Sequence, residues 1–259
     1  MPPPTRDPWA KLARWTPARI ALGRAGASLP TREVLGFALA HAKARDAVHA
    51  PFDPGQIARG LAELGLDTIE VSSDATERAL YLRRPDYGRR LSQVSRALLE
   101  ARGGEPVDLA LVVGDGLSAA AVHAHAVPLT AAFLPHAKSL KLSLGPVVIA
   151  HGARVALGDE IGSLLRARLV AMLIGERPGL SSPDSLGVYL TFAPKPGRSD
   201  AERNCISNIR AEGLSYALAA VKLAWLVREA LRRSLTGVAL KDESDHALAE
   251  GRGPLILNK

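Results

Sequence analysis

The chain has few of the residues that mark several common classes of protein. It contains one cysteine in 259 residues, which excludes an internal disulfide and fits a reducing compartment. Its 11 aromatic residues are too few and too scattered for a platform that stacks nucleic-acid bases. No run of about 18 strongly apolar residues occurs, so we predict no membrane-spanning helix. HExxH, CxxC and P-loop motifs are absent, and we predict no metal site.

The charge of the chain is positive but evenly spread. The formal net charge is +7, which raises the question of a nucleic-acid partner. Basic residues exceed acidic ones by four before position 106 and by three after it, so neither half concentrates the charge. We therefore predict a mixed solvated surface, or one docked on an acidic partner, and no nucleic-acid partner. The N-terminus lacks the apolar core of a signal peptide, which favours a cytoplasmic protein.

The first of two expected regions, residues 1–102, is an N-terminal arm followed by mostly helical chain. The arm contains a predicted short helix after Asp7, with Trp9 and Leu12 on one apolar side. Two tryptophans within seven residues of each other are costly to leave in water. They would either pack on the body of this chain or dock onto another subunit, and the sequence leaves both open.

Helical periodicity dominates the rest of this region. Thr31 is expected to cap a helix whose packing face includes Leu35 and Leu39. Leu91, Val94 and Leu98 mark the packing face of the last predicted helix before the linker at 102–106. A short extended piece, residues 67–73, lies between these helices.

The second region, residues 103–259, alternates between strands and helices. Short buried-type strands are predicted at 107–113, 145–152, 168–174 and 185–194. Helical patterns lie between the first three strands, and a longer one covers 213–234. Such alternation predicts an α/β fold built on an open, mainly parallel sheet with flanking helices.

Polar and glycine residues follow the predicted strands. They are Gly114-Asp115-Gly116, residues 152–155, Gly175-Glu176-Arg177 and a predicted loop around Cys205. In an open parallel sheet, ligands bind beyond the carboxyl ends of the strands. We therefore expect these four segments to surround one crevice.

The crevice has no recognisable catalytic set. The GDGLS string lacks the full GxGxxG spacing, and Asp115 is explained equally well as a helix cap. Glu176 beside Arg177 is typical of an ion pair, and no base is assigned to Cys205 by spacing. His123 and His125 would lie on different faces of a helix and form a poor metal pair. We predict a ligand-binding domain with no catalytic residue of its own.

Two strings in the second region are more specific. With LIGERPGL (173–180) and NCISNI (204–209), and with further strings such as RVALGDEIG (154–162), the chain resembles the small (light) subunit of ethanolamine ammonia-lyase. The similarity runs from about Trp15 to Lys241. The segment at 195–200 departs from the family by about one residue, which leaves the conformation of that loop open.

The resemblance implies an adenosylcobalamin-dependent enzyme that converts ethanolamine to acetaldehyde and ammonia. In that family a large TIM-barrel subunit holds the substrate, cobalamin lies between the subunits, and the small subunit has a Rossmann-like core. By motif, the cobalamin contacts would be Val155, Glu176 and Cys205. The resemblance also implies a hetero-oligomer in which residues 1–102 contact the large subunit. It leaves encapsulation in a bacterial microcompartment open.

Two other functions remain open on sequence grounds. One is a self-sufficient α/β enzyme that acts on a phosphorylated metabolite with Glu176 as acid–base, which would be active without cobalamin. The other is a non-catalytic basic binding module, which would bind nucleic acid with strong salt dependence.

Overall fold

A computed structural model describes residues 5, 7–16 and 18–249 of the chain. Within these residues the α/β class is confirmed. The strands are β1 (Thr68–Ser72), β2 (Val107–Gly114), β3 (Val147–His151), β4 (Ala167–Gly175), β5 (Leu186–Phe192) and β6 (Arg203–Ile209). The helices are α1 (Thr31–His49), α2 (Pro54–Glu63), α3 (Arg78–Arg83), α4 (Gln93–Arg102), α5 (Ala119–Ser139), α6 (Leu157–Leu164), α7 (Tyr216–Arg233) and α8 (Ser244–Ala249).

The six strands form one sheet in the order β1-β3-β2-β4-β5-β6. The pairs β1–β3, β3–β2 and β2–β4 are parallel. The pairs β4–β5 and β5–β6 are antiparallel. The prediction of a mainly parallel sheet is confirmed. From β2 the chain continues to β3 on one side and then to β4 on the other, so a topological switch point lies between β2 and β4.

Helices cover both faces of the sheet. Most of β2 and β4 is buried, as expected of central parallel strands with covered faces. Helices α2, α5 and α7 pack on one face, where Phe133 and Trp225 contribute to the core. Helix α6 packs on the other face and α4 packs on α6, around Leu157 and Ile161. This is the Rossmann-like arrangement that the family resemblance implied.

The first hundred residues contribute to the sheet as well as to the helices. Strand β1 pairs with β3 over the full length of both strands, from Thr68–Val147 to Ser72–His151. Helix α2 packs against α5 and β1. The expected division into residues 1–102 and 103–259 stays a prediction, and positions 250–259 of the second region lie outside the described residues.

The prediction of a loop around Cys205 is wrong. Cys205 lies in β6, where it pairs with Tyr189 of β5. In the segment 203–209 every third residue is buried, at positions 203, 206 and 209, and the β5–β6 pairing contains a register shift. The polar residues of this segment at 204, 207 and 208 predict a loop because they interrupt the apolar alternation that marks a regular strand.

Two predicted helix faces also differ from the structure. In α4 the buried residues are Ser95 and Leu99, whereas Val94 and Leu98 are exposed. The hydroxyl of Ser95 accepts a hydrogen bond from the Ser72 amide of β1, which turns a polar residue inward. In α1, Leu35 and Leu39 are exposed, and Ala47 alone is fully buried among its residues. Thr31 begins α1 without a side-chain capping bond.

Among the described helices, none is both long and apolar enough to cross a membrane.

Candidate functional site

A cleft of about 400 Å³ opens at the switch point of the sheet. We call it the switch-point cleft. Its lining residues come from the end of β4, from the turns after β2, β3 and β4, and from α3 and β5. They are Tyr81, Gly116, Leu117, Arg154, Val155, Ile174, Gly175, Glu176, Arg177 and Tyr189. Three of the four segments expected to surround one crevice therefore meet there. The fourth, around Cys205, does not line the cleft, but it contacts two residues that do. Tyr189 is the strand partner of Cys205, and Glu176 accepts a hydrogen bond from the Asn208 amide.

Two glycines allow the ends of β2 and β4 to approach each other closely. Gly116 has a φ of +57°, in the left-handed region that favours glycine. A Cβ on Gly116 would lie 2.3 Å from the carbonyl oxygen of Gly175. A Cβ on Gly175 would lie 2.1 Å from the carbonyl oxygen of Ser118. The backbone that forms this wall of the cleft therefore has room only for glycine at both positions.

Glu176 follows β4 and is held by hydrogen bonds to one of its two carboxylate oxygens. Its Oε2 accepts a bond from the Ser185 hydroxyl and another, 3.2 Å long, from the backbone N–H of Asn208. Oε1 has no hydrogen-bond donor among the described residues. The side chain is thus oriented by one oxygen, and the other remains able to accept a hydrogen bond from a ligand.

Val155 lies between β3 and α6 and is half-buried. Helix α6 begins two residues later and is fixed on both sides by its first-turn carboxylates. Asp159 forms a buried ion pair with Arg203 of β6, with N–O distances of 2.5 and 2.7 Å. Glu160 accepts from the Leu91 amide at 2.8 Å and pairs with Arg96 of α4. These contacts fix the turn that presents Val155 to the cleft.

Cys205 is exposed at the surface of β6. Atoms packed around the sulfur raise the pKa of its thiol, and the nearby Glu176 carboxylate raises it further, against the effect of a hydrogen bond with Tyr189. The protonated thiol is therefore favoured, which does not suit a nucleophile. Tyr189 links Cys205 to the cleft, since it pairs with Cys205 across the sheet and lines the cleft itself.

Tyr81 of α3 is a cleft residue that the sequence did not indicate. Its ring lies between two guanidinium groups, with centroid distances of 4.1 Å to Arg154 and 4.7 Å to Arg78. Its hydroxyl donates to the carbonyl oxygen of Ala153 at 3.1 Å. Burial raises the pKa of Tyr81 above its ordinary value of 10.0, so the phenol stays protonated. No spacing in the sequence places the short helix α3 against the ends of β2 and β3.

Asp115 does not cap α5, contrary to one explanation of its position. Its Oδ1 accepts from the amides of Gly116 and Ala153, at 3.0 and 2.8 Å. Arg78 lies 3.5 Å from Oδ2. The N-cap of α5 is Ser118, whose hydroxyl accepts from the Ala121 amide. Asp115 thus ties the turn after β2 to the turn after β3.

The two histidines of α5 serve different contacts. The Nε2 atom of His123 accepts from the Asp53 amide at 2.9 Å, whereas Nδ1 of His125 is 2.8 Å from the Tyr216 hydroxyl. Within the described part of the chain, no group of three His, Cys, Asp or Glu side chains could hold a metal ion.

The model of the ethanolamine ammonia-lyase light chain family matches residues 6–241. The chain belongs to this family. It is 60% identical over 240 residues to the ethanolamine ammonia-lyase small subunit of Bradyrhizobium diazoefficiens, covering 92% of each chain. It is 56% identical over 254 residues to that of Azotobacter vinelandii, covering 97% of this chain and 94% of the relative. It is 57% identical over 243 residues to that of Rhodopseudomonas palustris, covering 94% and 93%.

The resemblance that the sequence motifs predicted is therefore confirmed. The relatives are named as a subunit of a lyase, which also confirms the prediction of a lyase subunit. The words "small subunit" in their names imply a larger partner subunit. Members of the ethanolamine ammonia-lyase light chain family thus form part of an enzyme, in keeping with the lack of a recognisable catalytic set in this chain.

Proposed function

We propose that this chain is the small subunit of an ethanolamine ammonia-lyase and binds adenosylcobalamin in the switch-point cleft. A larger TIM-barrel subunit would hold ethanolamine and close the site from the other side. The observation that carries the proposal is that Val155 and Glu176, which match the family's motifs, line one cleft at the topological switch point. Family membership supports it independently.

The lining residues suit one side of a corrinoid. A corrin has an apolar ring edge surrounded by amide side chains, and the cleft offers both kinds of contact. Val155, Leu117 and Ile174 provide apolar surface, and the free Oε1 of Glu176 can accept a hydrogen bond from an amide. A corrinoid is larger than a cleft of about 400 Å³. This chain therefore covers part of the cofactor, which fits a site completed by a partner.

Adenosylcobalamin, when bound, supplies the radical chemistry of the reaction, which needs no nucleophile from this chain. Glu176 orients the cofactor through Oε1 while Ser185 and Asn208 hold its Oε2. Val155 excludes water from the ring edge. Cys205 lies at the rim beside Tyr189 and makes a packing contact with its protonated thiol.

The contact from Glu176 is tested by cofactor titration of the complex with the large subunit. We expect Glu176→Ala to weaken adenosylcobalamin binding by about 1–3 kcal/mol, because a buried hydrogen-bond partner of the cofactor is left unmatched. Glu63→Ala, at an exposed carboxylate of α2, is the matched control and should bind normally. Unchanged binding by the Glu176 variant would remove this residue from the site.

The activity is tested by reconstitution. Acetaldehyde should form from ethanolamine only when this chain, the large subunit and adenosylcobalamin are all present. Turnover of a phosphorylated metabolite by the isolated chain without cobalamin would instead support the self-sufficient enzyme with Glu176 as acid–base.

A further inference from the structure

A second cavity of about 410 Å³ adjoins the switch-point cleft. We call it the arginine pocket. It is lined by Pro85, Arg89, Arg154, Val155, Ala156, Arg198, Ser199 and Asp200. Arg154 and Val155 line both cavities, so the two are neighbours along one edge of the sheet. Three guanidinium groups face one carboxylate in this pocket, which gives it an excess of positive charge.

Two of the three arginines retain free hydrogen-bond donors. Arg89 has no side-chain hydrogen bond or ion pair with any residue the structure describes. Arg154 donates from Nη2 to the carbonyl oxygen of Tyr81, and its Nε is buried and out of reach of a ligand, whereas Nη1 is accessible and has no acceptor among the described residues. Arg198 is engaged by Glu202 and by the carbonyl oxygen of Ala193. The donors left for a ligand therefore belong to Arg89 and Arg154.

The backbone adds two more donors on the same wall. The amides of Val155 and Ala156, just before α6, have no acceptor among the described residues. They lie at the positive end of the α6 dipole. The carboxylates of the first turn do not compete for a ligand, because Asp159 is paired with Arg203 and Glu160 with Arg96. The Asp200 carboxylate is 3.4 Å from Nε of Arg203.

We propose that the arginine pocket binds a phosphate group. Guanidinium groups and helix N-terminal amides are the donors that proteins use for phosphate oxygens. The group could come from the phosphodiester of a cobalamin whose ring lies in the adjoining cleft, a source that rests on the proposed function. It could also come from free phosphate or a phosphate monoester. The residues that bind it would be the same in both cases.

The pocket itself is tested with inorganic phosphate as the probe. Titration calorimetry of the full chain in low-salt buffer should give saturable phosphate binding. Arg89→Ala should weaken that binding about tenfold, since one charge-assisted hydrogen bond is lost. The fold should be unaffected, because the Arg89 side chain is exposed and makes no hydrogen bond or ion pair with a described residue. Arg83→Ala is the control, an exposed arginine of α3 that lines neither cavity.

Absence of saturable binding by the wild-type chain would overturn the proposal. Equal affinities for the Arg89 and Arg83 variants would overturn it as well, because phosphate binding would then follow overall charge.

The source of the phosphate is tested in the complex with the large subunit. Cobalamin is compared with cobinamide, a corrinoid that lacks the phosphate and the nucleotide. If Arg89→Ala weakens cobalamin binding and leaves cobinamide binding unchanged, the phosphodiester occupies the pocket. If both corrinoids bind the Arg89 variant normally while inorganic phosphate binds it more weakly than it binds the wild-type chain, the pocket serves a free phosphate or a monoester. If neither corrinoid binds the wild-type complex, the proposed function fails. The calorimetry still shows whether the arginine pocket binds phosphate.

Discussion

Glu176 and Cys205 are electrostatically coupled although they come from different strands. Glu176 follows β4, and its carboxylate is bonded to the Asn208 amide, three residues beyond Cys205 in β6. The negative charge of Glu176 contributes to the raised pKa of the Cys205 thiol. The chemistry of the single cysteine therefore reports on the state of the carboxylate.

This coupling gives a prediction for alkylation of Cys205. With iodoacetamide, the pH midpoint of the rate should lie above the ordinary thiol value of 9.0, because the thiolate is the nucleophile. Glu176→Gln should move the midpoint to lower pH, since the carboxylate no longer disfavours the thiolate. Glu63→Gln should leave it unchanged. Mass spectrometry of quenched samples gives the rates, and identical profiles for the two variants would contradict the coupling.

His125 should make stability depend on pH. Burial lowers the pKa of His125 from its ordinary value of 6.5, against an opposing effect of Asp184. Below pH 6.5 the unfolded chain takes up a proton at this residue, and the native chain takes it up only at lower pH. The stabilisation by neutral His125 is thus present above pH 6.5 and is lost as the pH falls through the folded-state pKa.

Urea unfolding at about pH 7.5 and about pH 5.5 measures this effect. The free energy of unfolding of the wild-type chain should fall between the two. For His125→Gln it should fall less, because the residue that titrates is gone. Equal decreases for the two proteins would show that other groups carry the pH dependence.

At the scale of elements, the cleft depends on the close approach of the β2–α5 turn to the end of β4. A Cβ at Gly175 would meet two backbone oxygens, at 2.1 Å from Ser118 and 2.7 Å from Asp115. We expect Gly175→Ala to lower the free energy of unfolding by about 3 kcal/mol or more, because backbone atoms cannot move aside as a side chain can. Urea denaturation monitored by circular dichroism measures this cost.

Gly145→Ala is the control for this prediction. A Cβ there would lie 3.5 Å from the Val107 side chain, an ordinary contact. A small loss of stability in both variants would mean that the backbone at the switch point is more adaptable than the structure indicates.

The elements that the sequence predicted well are those with local signals. Strands β2, β3 and β4 are short apolar runs followed by glycine or polar turns. From these strands, the carboxyl-end rule predicts that Val155 and Glu176 lie at one crevice. Both line the switch-point cleft.

The parts that sequence reasoning missed depend on contacts between distant segments. Tyr81 enters the cleft because α3 packs on the turn after β3, through its bond to Ala153. Ser95 is buried because it bonds to β1. Neither contact leaves a periodic pattern in the sequence, since hydrophobic spacing reports burial of apolar residues and says nothing about partners for polar ones.

For the molecule as a whole, the N-terminal arm and α1 expose an unusual amount of apolar surface. Trp9 and Trp15 are 68% and 76% exposed, and Val34, Leu35, Phe37 and Leu39 of α1 are exposed as well. Of the two alternatives for the arm's tryptophans, packing on the body of the chain is therefore wrong. Large apolar side chains exposed in this number favour an interaction site. The expected contact of residues 1–102 with the large subunit stays a prediction.

This prediction is tested on α1, where exposed leucines can be changed without disturbing the core. Leu35→Gln combined with Leu39→Gln should weaken association with the large subunit about tenfold or more, because interface affinity is concentrated in buried apolar residues. Val94→Gln, at an exposed position of α4 on the opposite face of the sheet, is the matched control. Sedimentation of mixtures of the two subunits measures both. If the Val94 variant loses as much affinity as the α1 variant, the large subunit does not select the α1 surface, and the exposed apolar residues there must be covered by something else.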